Sequence, residues 1–523
     1  MKKKILLMMS LISVFFAWQL TQAKQVLAEG KVKVVTTFYP VYEFTKGVIG
    51  NDGDVSMLMK AGTEPHDFEP STKDIKKIQD ADAFVYQDAD AFVYMDDNME
   101  TWVSDVKKSL TSKKVTIVKG TGNMLLVAGA GHDHHHEDAD KKHERNKHSE
   151  EGHNHAFDPH VWLSPYRSIT VVENIRDSLS KAYPEKAENF KANAATYIEK
   201  LKELDKDYTA ALSDAKQKSF VTQHAAFGYM ALDYGLNQIS INGVTPDAEP
   251  SAKRIATLSK YVKKYGIKYI YFEENASSKV AKTLAKEAGV KAAVLSPLEG
   301  LTEKEMKAGQ DYFTVMRKNL ETLRLTTDVA GKEILPEKDT TKTVYNGYFK
   351  DKEVKDRQLS DWSGSWQSVY PYLQDGTLDQ VWDYKAKKSK GKMTAAEYKD
   401  YYTTGYKTDV EQIKINGKKK TMTFVRNGEK KTFTYTYAGK EILTYPKGNR
   451  GVRFMFEAKE PNAGEFKYVQ FSDHAIAPEK AEHFHLYWGG DSQEKLHKEL
   501  EHWPTYYGSD LSGREIAQEI NAH

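Results

Sequence analysis

Histidine is the residue type that most clearly predicts chemistry in this chain. Eight histidines share one hydrophilic tract, residues 131–155, with the sequence GHDHHHEDADKKHERNKHSEEGHNH. They are His132, His134, His135, His136, His143, His148, His153 and His155. Neutral imidazole is the commonest protein ligand for zinc-like metals, so the tract predicts accessory binding of a divalent transition metal. The alternative is a solvated, charged loop that only happens to contain histidine.

Four further metal-ligand candidates lie in turns or directly after strand-like stretches. They are His66 in GTEPHDFEP, His160 in FDPHVWLSP, His224 after SFVTQ, and Glu299 in SPLEG. Ligand sites of α/β sheets gather outside the carboxyl ends of strands, so residues of two lobes could meet at one ion. Glu273 and Glu274 also follow a strand-like stretch and are alternative oxygen donors. Three imidazoles and one carboxylate suit tetrahedral zinc and leave no position open for catalysis, which predicts binding and release.

The segment AEHFHLY near the C-terminus predicts a second metal site. Residues two apart in a strand share a face, so His483 and His485 project together, and His474 in FSDHAIAP is a natural third ligand. Two histidines on a wet strand face are the plainer alternative. His497 and His502 lie in a charged helical stretch, where we expect surface residues.

An empty fourth position on three histidines would also permit catalysis, because a zinc-bound water can act as a nucleophile. A zinc-dependent hydratase or hydrolase in the C-terminal part is therefore an alternative function. It requires a general base, and the nearby Glu482 and Asp473 are not convincing ones. We expect no enzymatic activity and no catalytic residues.

These candidates need elements that hold them, and the first part of the chain predicts alternating strands and helices. Such alternation favours parallel α/β units. The expected strands are residues 32–37, 54–60, 115–119, 219–223, 267–272 and 290–295, and the expected helices are residues 71–79, 226–234 and 277–288. Residues 184–216 are rich in Ala, Lys, Glu and Leu, and they predict one long helix between two α/β lobes.

The octapeptide QDADAFVY occurs twice in tandem, at residues 79–86 and 87–94. Its even length keeps the same side chains on the same face of a strand in either copy. We therefore expect a single strand here, with one copy looped out or replacing a turn, rather than a repeat fold.

The sequence changes character near residue 330. A polar stretch at residues 330–343 predicts a linker, and the rest, residues 344–523, is aromatic and rich in alternating strands. Strand-like stretches at 410–415, 420–425 and 432–437 precede the hairpin signals Asn416-Gly417, Asn427-Gly428 and Ala438-Gly439. These features predict an antiparallel barrel or sandwich, with helices near residues 394–402 and 493–502.

Composition narrows the setting in which this protein works. The 523 residues include 76 basic and 74 acidic ones, a net charge of +2, without the basic excess of a nucleic-acid-binding protein. Cysteine is absent, which excludes disulfides, thiolate metal ligands and a lipidated cysteine. Three lysines and an apolar stretch predict a signal peptide over residues 1–28, and that stretch is shorter than a retained membrane anchor needs. We expect an exported, extracellular protein associated with the cell surface.

The motifs GTEPHDFEPS, FDPHVWLSP, TQHAAFGYMALDYGL and SPLEGL resemble those of the solute-binding proteins of metal ABC transporters, in the cluster that includes the ZnuA type. The resemblance covers residues 31–329 and implies an α/β domain of two lobes joined by a rigid helix. The zinc ligands it implies are His66, His160, His224 and Glu299. It decides against the alternative carboxylates and places the His tract as a loop beside the site.

Downstream, DWSGSWQSVYPYLQDGTLDQVWDY with FSDH and EHFHLYWG resembles the ZinT family of periplasmic zinc-binding proteins. That resemblance implies a mainly β, calycin-like (lipocalin-like) barrel with His474, His483 and His485 as ligands. A ZnuA-like part followed by a ZinT-like part implies the extracellular zinc-binding component of an ABC importer. Its cargo would be Zn²⁺, and its partners a membrane permease and the ATPase of that permease. We expect a monomer without a nucleic-acid partner; a surface adhesin with structural zinc is an alternative.

Overall fold

Two units make up the part of the chain that the structure describes. The computed structural model describes residues 30–60, 63–79, 90–110, 115–129, 157–241, 252–273, 279–331, 342–446 and 448–522. The signal peptide, the His tract, most of the linker and most of the first octapeptide copy, all named above as predictions, lie outside these residues. The first unit comprises Met1–Gly122 and Gly129–Glu333, and the second comprises Asn123–Ala128 and Ile334–His523.

The first unit contains two four-stranded parallel sheets, in the orders β2-β1-β3-β4 and β6-β5-β7-β8. The strands are β1 (Val32–Thr36), β2 (Gly53–Met57), β3 (Ala91–Tyr94), β4 (Thr116–Lys119), β5 (Ser219–Thr222), β6 (Asn237–Ser240), β7 (Tyr269–Phe272) and β8 (Lys291–Val294). The helices are α1 (Tyr39–Ile49), α2 (Thr72–Gln79), α3 (Val103–Leu110), α4 (Pro165–Ala182), α5 (Ala187–Leu212), α6 (Gly228–Asp233), α7 (Ala252–Tyr265), α8 (Lys279–Ala288), α9 (Glu303–Lys307) and α10 (Tyr312–Thr327). The prediction of parallel α/β units is confirmed.

The long helix α5 lies between the two sheets in chain order. It has 26 residues and is shorter than the predicted 184–216, because Pro184–Lys186 forms a separate 3₁₀ turn and the helix ends at Leu212. Pro184 has no N–H with which to continue α4. The buried side chains of α5 recur every three or four residues, so one face packs on the core and the charged face stays outside.

The second octapeptide copy supplies strand β3. Ala91–Tyr94 is buried throughout and pairs in parallel with β1 on one side and β4 on the other. Phe92 and Tyr94 stack with their ring centroids 6.2 Å apart, and Phe92 also contacts Trp102. One copy of the repeat is thus enough to form the strand, as the sequence predicts.

Eight antiparallel strands close the second unit into a barrel, in the order β10-β11-β12-β13-β14-β15-β16-β9. These strands are β9 (Gly364–Ser368), β10 (Gln412–Asn416), β11 (Thr421–Arg426), β12 (Glu429–Thr444), β13 (Arg450–Ala458), β14 (Tyr468–Ser472), β15 (His483–Gly489) and β16 (Thr505–Gly508). The helices are α11 (Tyr370–Gln374), α12 (Asp379–Lys388), α13 (Ala395–Tyr406), α14 (Gln493–His497) and α15 (Gly513–Ala522). The barrel interior is aromatic, with Trp362 stacked on Phe471. The predicted mainly β C-terminal part is confirmed as a barrel.

The hairpin predicted at Ala438-Gly439 is wrong. Strand β12 continues through these residues to Thr444. Gly439 has a φ of 111°, and the pairing with β13 shifts register between Tyr437 and Gly439. The glycine therefore permits a β-bulge that bends a long strand, rather than a turn that ends it.

Two predicted helices of the second unit are found, one of them shortened. Helix α13 starts at a capping box in which the Thr394 and Glu397 side chains bond each other's backbone N–H groups. Helix α14 ends at His497, not at residue 502. The buried guanidinium of Arg453 donates to the carbonyls of Leu496 and Glu499, at 3.1 and 2.7 Å, and so takes two acceptors that a longer helix would use.

A six-residue segment from the first quarter of the chain, Asn123–Ala128, belongs to the second unit. The Leu125 carbonyl accepts from the Tyr384 hydroxyl at 2.6 Å. The Leu126 N–H donates to Oε1 of Gln518 at 2.9 Å, and its carbonyl accepts from Gln518 at 2.7 Å and Asn521 at 3.1 Å. Helices α12 and α15 thus bind the segment through its backbone, satisfying buried groups that have no sheet partner.

Replacing Gln518 tests how this segment is held. Gln518→Ala removes the acceptor for the Leu126 N–H and a donor to its carbonyl, which costs about 1–3 kcal/mol at a buried position. We expect amide hydrogen exchange at Leu126 to accelerate about tenfold or more, as measured by mass spectrometry. Glu519→Gln, at an exposed position of the same helix, is the matched control. Equal exchange in Gln518→Ala and wild type would contradict this account.

Candidate metal centres

Four donor side chains converge at one buried place in the first unit. His66, His160, His224 and Glu299 each offer a ligand atom, and these atoms lie within 4.8 Å of one another. Their side chains are all at least nine-tenths buried. Within the described ranges of the chain, no other group of three or more histidines and carboxylates comes so close together.

The separations of the donor atoms are those of a tetrahedral metal site. Nε2 of His160 lies 3.1 Å from Nε2 of His66 and 3.4 Å from Nε2 of His224. Oε1 of Glu299 lies 3.6 to 3.8 Å from the same three nitrogens. A tetrahedral zinc ion with bonds of about 2.0–2.2 Å keeps neighbouring ligands about 3.3–3.6 Å apart. The four groups therefore fit one ion with all four positions filled.

Two of these donors enter from turns. His66 lies in the 3₁₀ turn Pro65–Asp67, where its backbone N–H donates to the Glu64 carboxylate at 3.2 Å. The carboxylate of Asp158 accepts from the backbone N–H of His160 at 2.9 Å and from ring Nδ1 of His160 at 2.7 Å. Because an ionised carboxylate can only accept, Nδ1 carries a proton, and Nε2 is the nitrogen of His160 that faces the cluster.

The other two donors follow strands of the second sheet. His224 comes after β5, and its Nδ1 bonds the carboxylate of Glu273, which follows β7. Glu299 comes after β8, preceded by Leu298 with a φ of 54°. Leu298 is fully buried, and its N–H donates to the Ser296 hydroxyl at 3.2 Å. A left-handed, anchored residue therefore sets the direction of Glu299.

The alternative oxygen donors are placed differently. Glu273 bonds Nδ1 of His224, on the side of the ring away from the cluster, so it orients the ring instead of joining the four donors. Glu299 faces the Nε2 atoms of all three histidines. Glu274 lies outside the described residues.

Burial and local charge set the protonation of these groups. Burial lowers the pKa of His66 to about 4, so this imidazole is neutral at neutral pH. Burial also opposes protonation of His160, but Asp158 and Glu299 outweigh it and raise the pKa of His160 to about 9. Burial favours the neutral form of Glu299, yet the nearby imidazoles of His160 and His66 hold its pKa well below the usual range. We call the place where His66, His160, His224 and Glu299 meet the cleft. In the metal-free cleft, a proton on His160 balances the negative charge of the carboxylates around it.

Zinc binding must displace the proton on His160. Because the pKa of His160 is about 9, the metal-free cleft carries this proton at neutral pH. We expect release of about one proton per zinc bound at the cleft, since a ligand must be deprotonated. Calorimetry in buffers of different ionisation enthalpy measures it, with release declining above a pH of about 9. In the His483→Ala plus His485→Ala protein, which removes binding at the barrel triad, a binding enthalpy of the first zinc equivalent that is independent of buffer would contradict this expectation.

Three histidines also lie near one another on the barrel, but their donor atoms do not all come within 4.8 Å of one another as those of the cleft do. His474 lies in the loop after β14, and His483 and His485 are alternate residues of β15, as predicted. The ring of His483 lies 5.4 Å from that of His474 and 6.4 Å from that of His485, centroid to centroid. The ring separations in the cleft, 5.0 to 6.1 Å, are only slightly shorter. His502 is exposed and His497 is half-buried.

Neutral oxygens hold two of the barrel rings. Nδ1 of His474 bonds the carbonyl oxygen of Tyr345 at 3.0 Å, and the two rings stack 3.7 Å apart. Nδ1 of His485 bonds the hydroxyl of Thr505 at 2.7 Å. Burial lowers the pKa of His474, and burial followed by the charges of His474 and Arg453 lowers the pKa of His485 to about 3. Both rings are therefore neutral at neutral pH and able to bind a metal.

The two carboxylates near the barrel histidines differ in their surroundings. Both oxygens of Asp473 accept from the buried guanidinium of Arg357, at 2.6 and 2.8 Å, and one also accepts from the indole N–H of Trp362. Glu482 is exposed. Asp473 is thus occupied by an ion pair and is a poor general base.

Four residues orient these histidines, a role not predicted from the sequence, in which Glu273 is only an alternative oxygen donor. They are Asp158, Glu273, Tyr345 and Thr505. Asp158 stands two residues before His160 within FDPH, so an aspartate able to turn back onto its neighbour was visible in the sequence. The other three lie far along the chain from the histidines they contact, and no local pattern indicates them.

Two family models match this chain in succession. The model described as "Zinc-uptake complex component A periplasmic" matches residues 34–325. The model described as "ZinT (YodA) periplasmic lipocalin-like zinc-recruitment" matches residues 340–523. The two matches leave residues 326–339 between them and together cover both units.

Similar proteins show the same order over the full length. The zinc-binding protein AdcA of Streptococcus pyogenes serotype M3 is 97% identical over 523 residues, covering 100% of both chains. The zinc-binding lipoprotein AdcA of Streptococcus pneumoniae strain R6 is 60% identical over 524 residues, again covering 100% of both. A crystal structure of Zn(II)-bound AdcA from Streptococcus pneumoniae superposes with a TM-score of 0.83 at 60% identity, covering 94% of this chain and 100% of that one.

Proposed function

This chain belongs to the AdcA family of zinc-binding proteins, in which a ZnuA-like part precedes a ZinT-like part, and we propose that it captures Zn²⁺ outside the cell for an ABC importer. It is the zinc-binding component of a zinc uptake system. We place the capture at two sites, one in the cleft of the ZnuA-like domain and one on the ZinT-like barrel. Residues 31–329 and 344–523 are the corresponding domains, with the linker at 330–343.

The convergence of His66, His160, His224 and Glu299 is the observation that carries this proposal. Four donors at tetrahedral spacing leave no coordination position for water or substrate, which suits transport of the ion rather than its use in catalysis. A buried four-ligand site must open to exchange its ion. Release is therefore a conformational step, which a membrane permease in contact with the protein could trigger.

The barrel triad, His474, His483 and His485, is proposed as the second zinc site. The support is two ring separations, 5.4 Å from His474 to His483 and 6.4 Å from His483 to His485, so a small side-chain adjustment would bring the three donors to one ion. A three-histidine site with an open fourth position exchanges zinc more readily than a closed one, which suits initial capture. The histidines of residues 131–155 would add weak binding nearby in the sequence.

We infer that the barrel does not use its zinc for hydration or hydrolysis. Such chemistry needs a base near the metal-bound water. The ion pair with Arg357 occupies Asp473, and the exposed position of Glu482 leaves its carboxylate in solvent. The family itself is one of transport components.

The partners and location follow from the family. We propose that the protein works as an exported monomer at the cell surface and delivers zinc to a permease driven by an ATPase. Across the described ranges, no helix is long and apolar enough to cross a membrane. The pneumococcal relative is named a lipoprotein, whereas these 523 residues contain no cysteine to carry a lipid. Attachment to the surface would therefore need another contact.

Paired variants test the two proposed sites separately. His66→Ala plus His224→Ala removes two of the four cleft donors, and we expect this protein to retain one zinc ion fewer than wild type. His483→Ala plus His485→Ala should lose the other ion. Metal content is measured by mass spectrometry after exhaustive dialysis.

A matched control keeps these results specific. His497→Ala plus His502→Ala removes two histidines that lie outside both proposed sites, and its zinc content should equal that of wild type. Unchanged zinc content and affinity in the His66→Ala plus His224→Ala protein would refute the cleft assignment.

A further inference from the structure

The two proposed zinc sites differ in the groups that hydrogen-bond Nδ1 of their histidine ligands. In the cleft, Nδ1 of His160 and Nδ1 of His224 both bond carboxylates, those of Asp158 and Glu273. On the barrel, the corresponding nitrogens of His474 and His485 bond a backbone carbonyl and a hydroxyl. The same kind of ligand therefore has a charged partner in one site and a neutral partner in the other.

The charge of such a partner affects the metal. A ring N–H that donates to a carboxylate pushes electron density toward the opposite nitrogen and makes it a stronger ligand. The negative charge also lies close enough to attract the cation directly, and burial weakens the screening of that attraction. Asp158 and Glu273 are each 4% exposed, so neither charge is dispersed by solvent.

The remaining charges near each site act in the same sense. In the cleft, Glu299 adds a third carboxylate as a direct ligand candidate. Near the barrel triad, Arg357 neutralises Asp473, and the positive charge of Arg453 acts on His485. A divalent cation is thus stabilised by several negative charges in the cleft and by few on the barrel.

We propose that Asp158 and Glu273 are affinity-setting residues, which make the cleft the tighter zinc site, so that zinc shared between the two sites collects in the cleft. This inference rests on the proposed function, because it assumes that both histidine groups bind zinc. It also gives zinc capture a direction. The barrel could bind zinc first because its site exchanges faster, but at equilibrium the zinc would be bound in the cleft.

The surroundings of Asp158 keep its carboxylate in place. One oxygen takes both N–H groups of His160, and the backbone carbonyl of Asp158 accepts from the Tyr229 hydroxyl at 2.8 Å. A Cβ atom at Gly228 would lie 2.6 Å from the other oxygen, so glycine leaves the room that this carboxylate occupies. Gly228→Ala should therefore displace Asp158 without altering any proposed ligand.

Isosteric substitutions separate charge from shape. Asp158→Asn and Glu273→Gln keep a carbonyl oxygen that can accept from the ring N–H, but they remove the negative charge. Each is introduced into the His483→Ala plus His485→Ala protein, called cleft-only, in which the barrel triad no longer competes with the cleft and residues 131–155 are the same as in the parent. We expect the zinc dissociation constant, measured by competition with a chromophoric chelator, to rise about 10- to 100-fold for either substitution.

One measurement distinguishes this role from a structural one, and two comparisons test the proposal further. The metal-free Asp158→Asn protein should keep the native circular dichroism spectrum and a cooperative unfolding transition, since its hydrogen bonds are kept even though the buried charge pair with His160 is lost. The cleft-only protein should also bind zinc more tightly than the protein with His66→Ala plus His224→Ala, called barrel-only. Gly228→Ala should weaken cleft binding in the same direction as Asp158→Asn.

The possible outcomes separate this inference from the proposed function. If the cleft-only protein binds no zinc, the proposed function itself fails. If it binds zinc, but Asp158→Asn and Glu273→Gln leave its dissociation constant unchanged, only the affinity-setting role is overturned. A barrel-only protein that binds as tightly as the cleft-only protein would overturn the direction of zinc collection.

Discussion

Three imidazole nitrogens and a carboxylate oxygen share one buried point, and their mutual proximity is favourable only when a cation or proton lies between them. Without metal, the proton on His160 fills part of this role, held by Asp158 and Glu299. A divalent ion satisfies the lone pairs of all four donors at once. The loops of the two lobes must therefore position the four donor atoms with a precision of about a few tenths of an ångström. The parallel sheets provide the rigid strand ends from which those loops start.

The three histidines on the barrel are positioned with fewer negatively charged neighbours than those of the cleft. Strand alternation alone puts His483 and His485 on one face, and His474 reaches them from the preceding loop. The backbone carbonyl of Tyr345 then orients the ring of His474, and the hydroxyl of Thr505 orients the ring of His485. A site built this way depends on strand register rather than on the closure of two lobes. If both proposed sites bind zinc, the barrel is suited to open exchange with solvent and the cleft to retention.

Much of this arrangement could be predicted from sequence because it is local. Alternation of β-branched strands with helices indicated the parallel sheets, and the motifs around His66, His160, His224 and Glu299 indicated the residues that converge. What could not be predicted depends on distant contacts. Gly439 makes a bulge only because β13 pairs with both halves of β12. Arg453 donates to the end of a helix 43 residues further along the chain, and helices α12 and α15 bind a segment from the first quarter of the chain.

The central claim is that the cleft holds zinc with four protein donors and no water. Zinc X-ray absorption of the His483→Ala plus His485→Ala protein, loaded with one equivalent of zinc, measures this directly. The account predicts four nitrogen or oxygen neighbours at about 2.0–2.2 Å, with the outer-shell scattering of three imidazoles. Five or six neighbours, or fewer than three imidazoles, would contradict it.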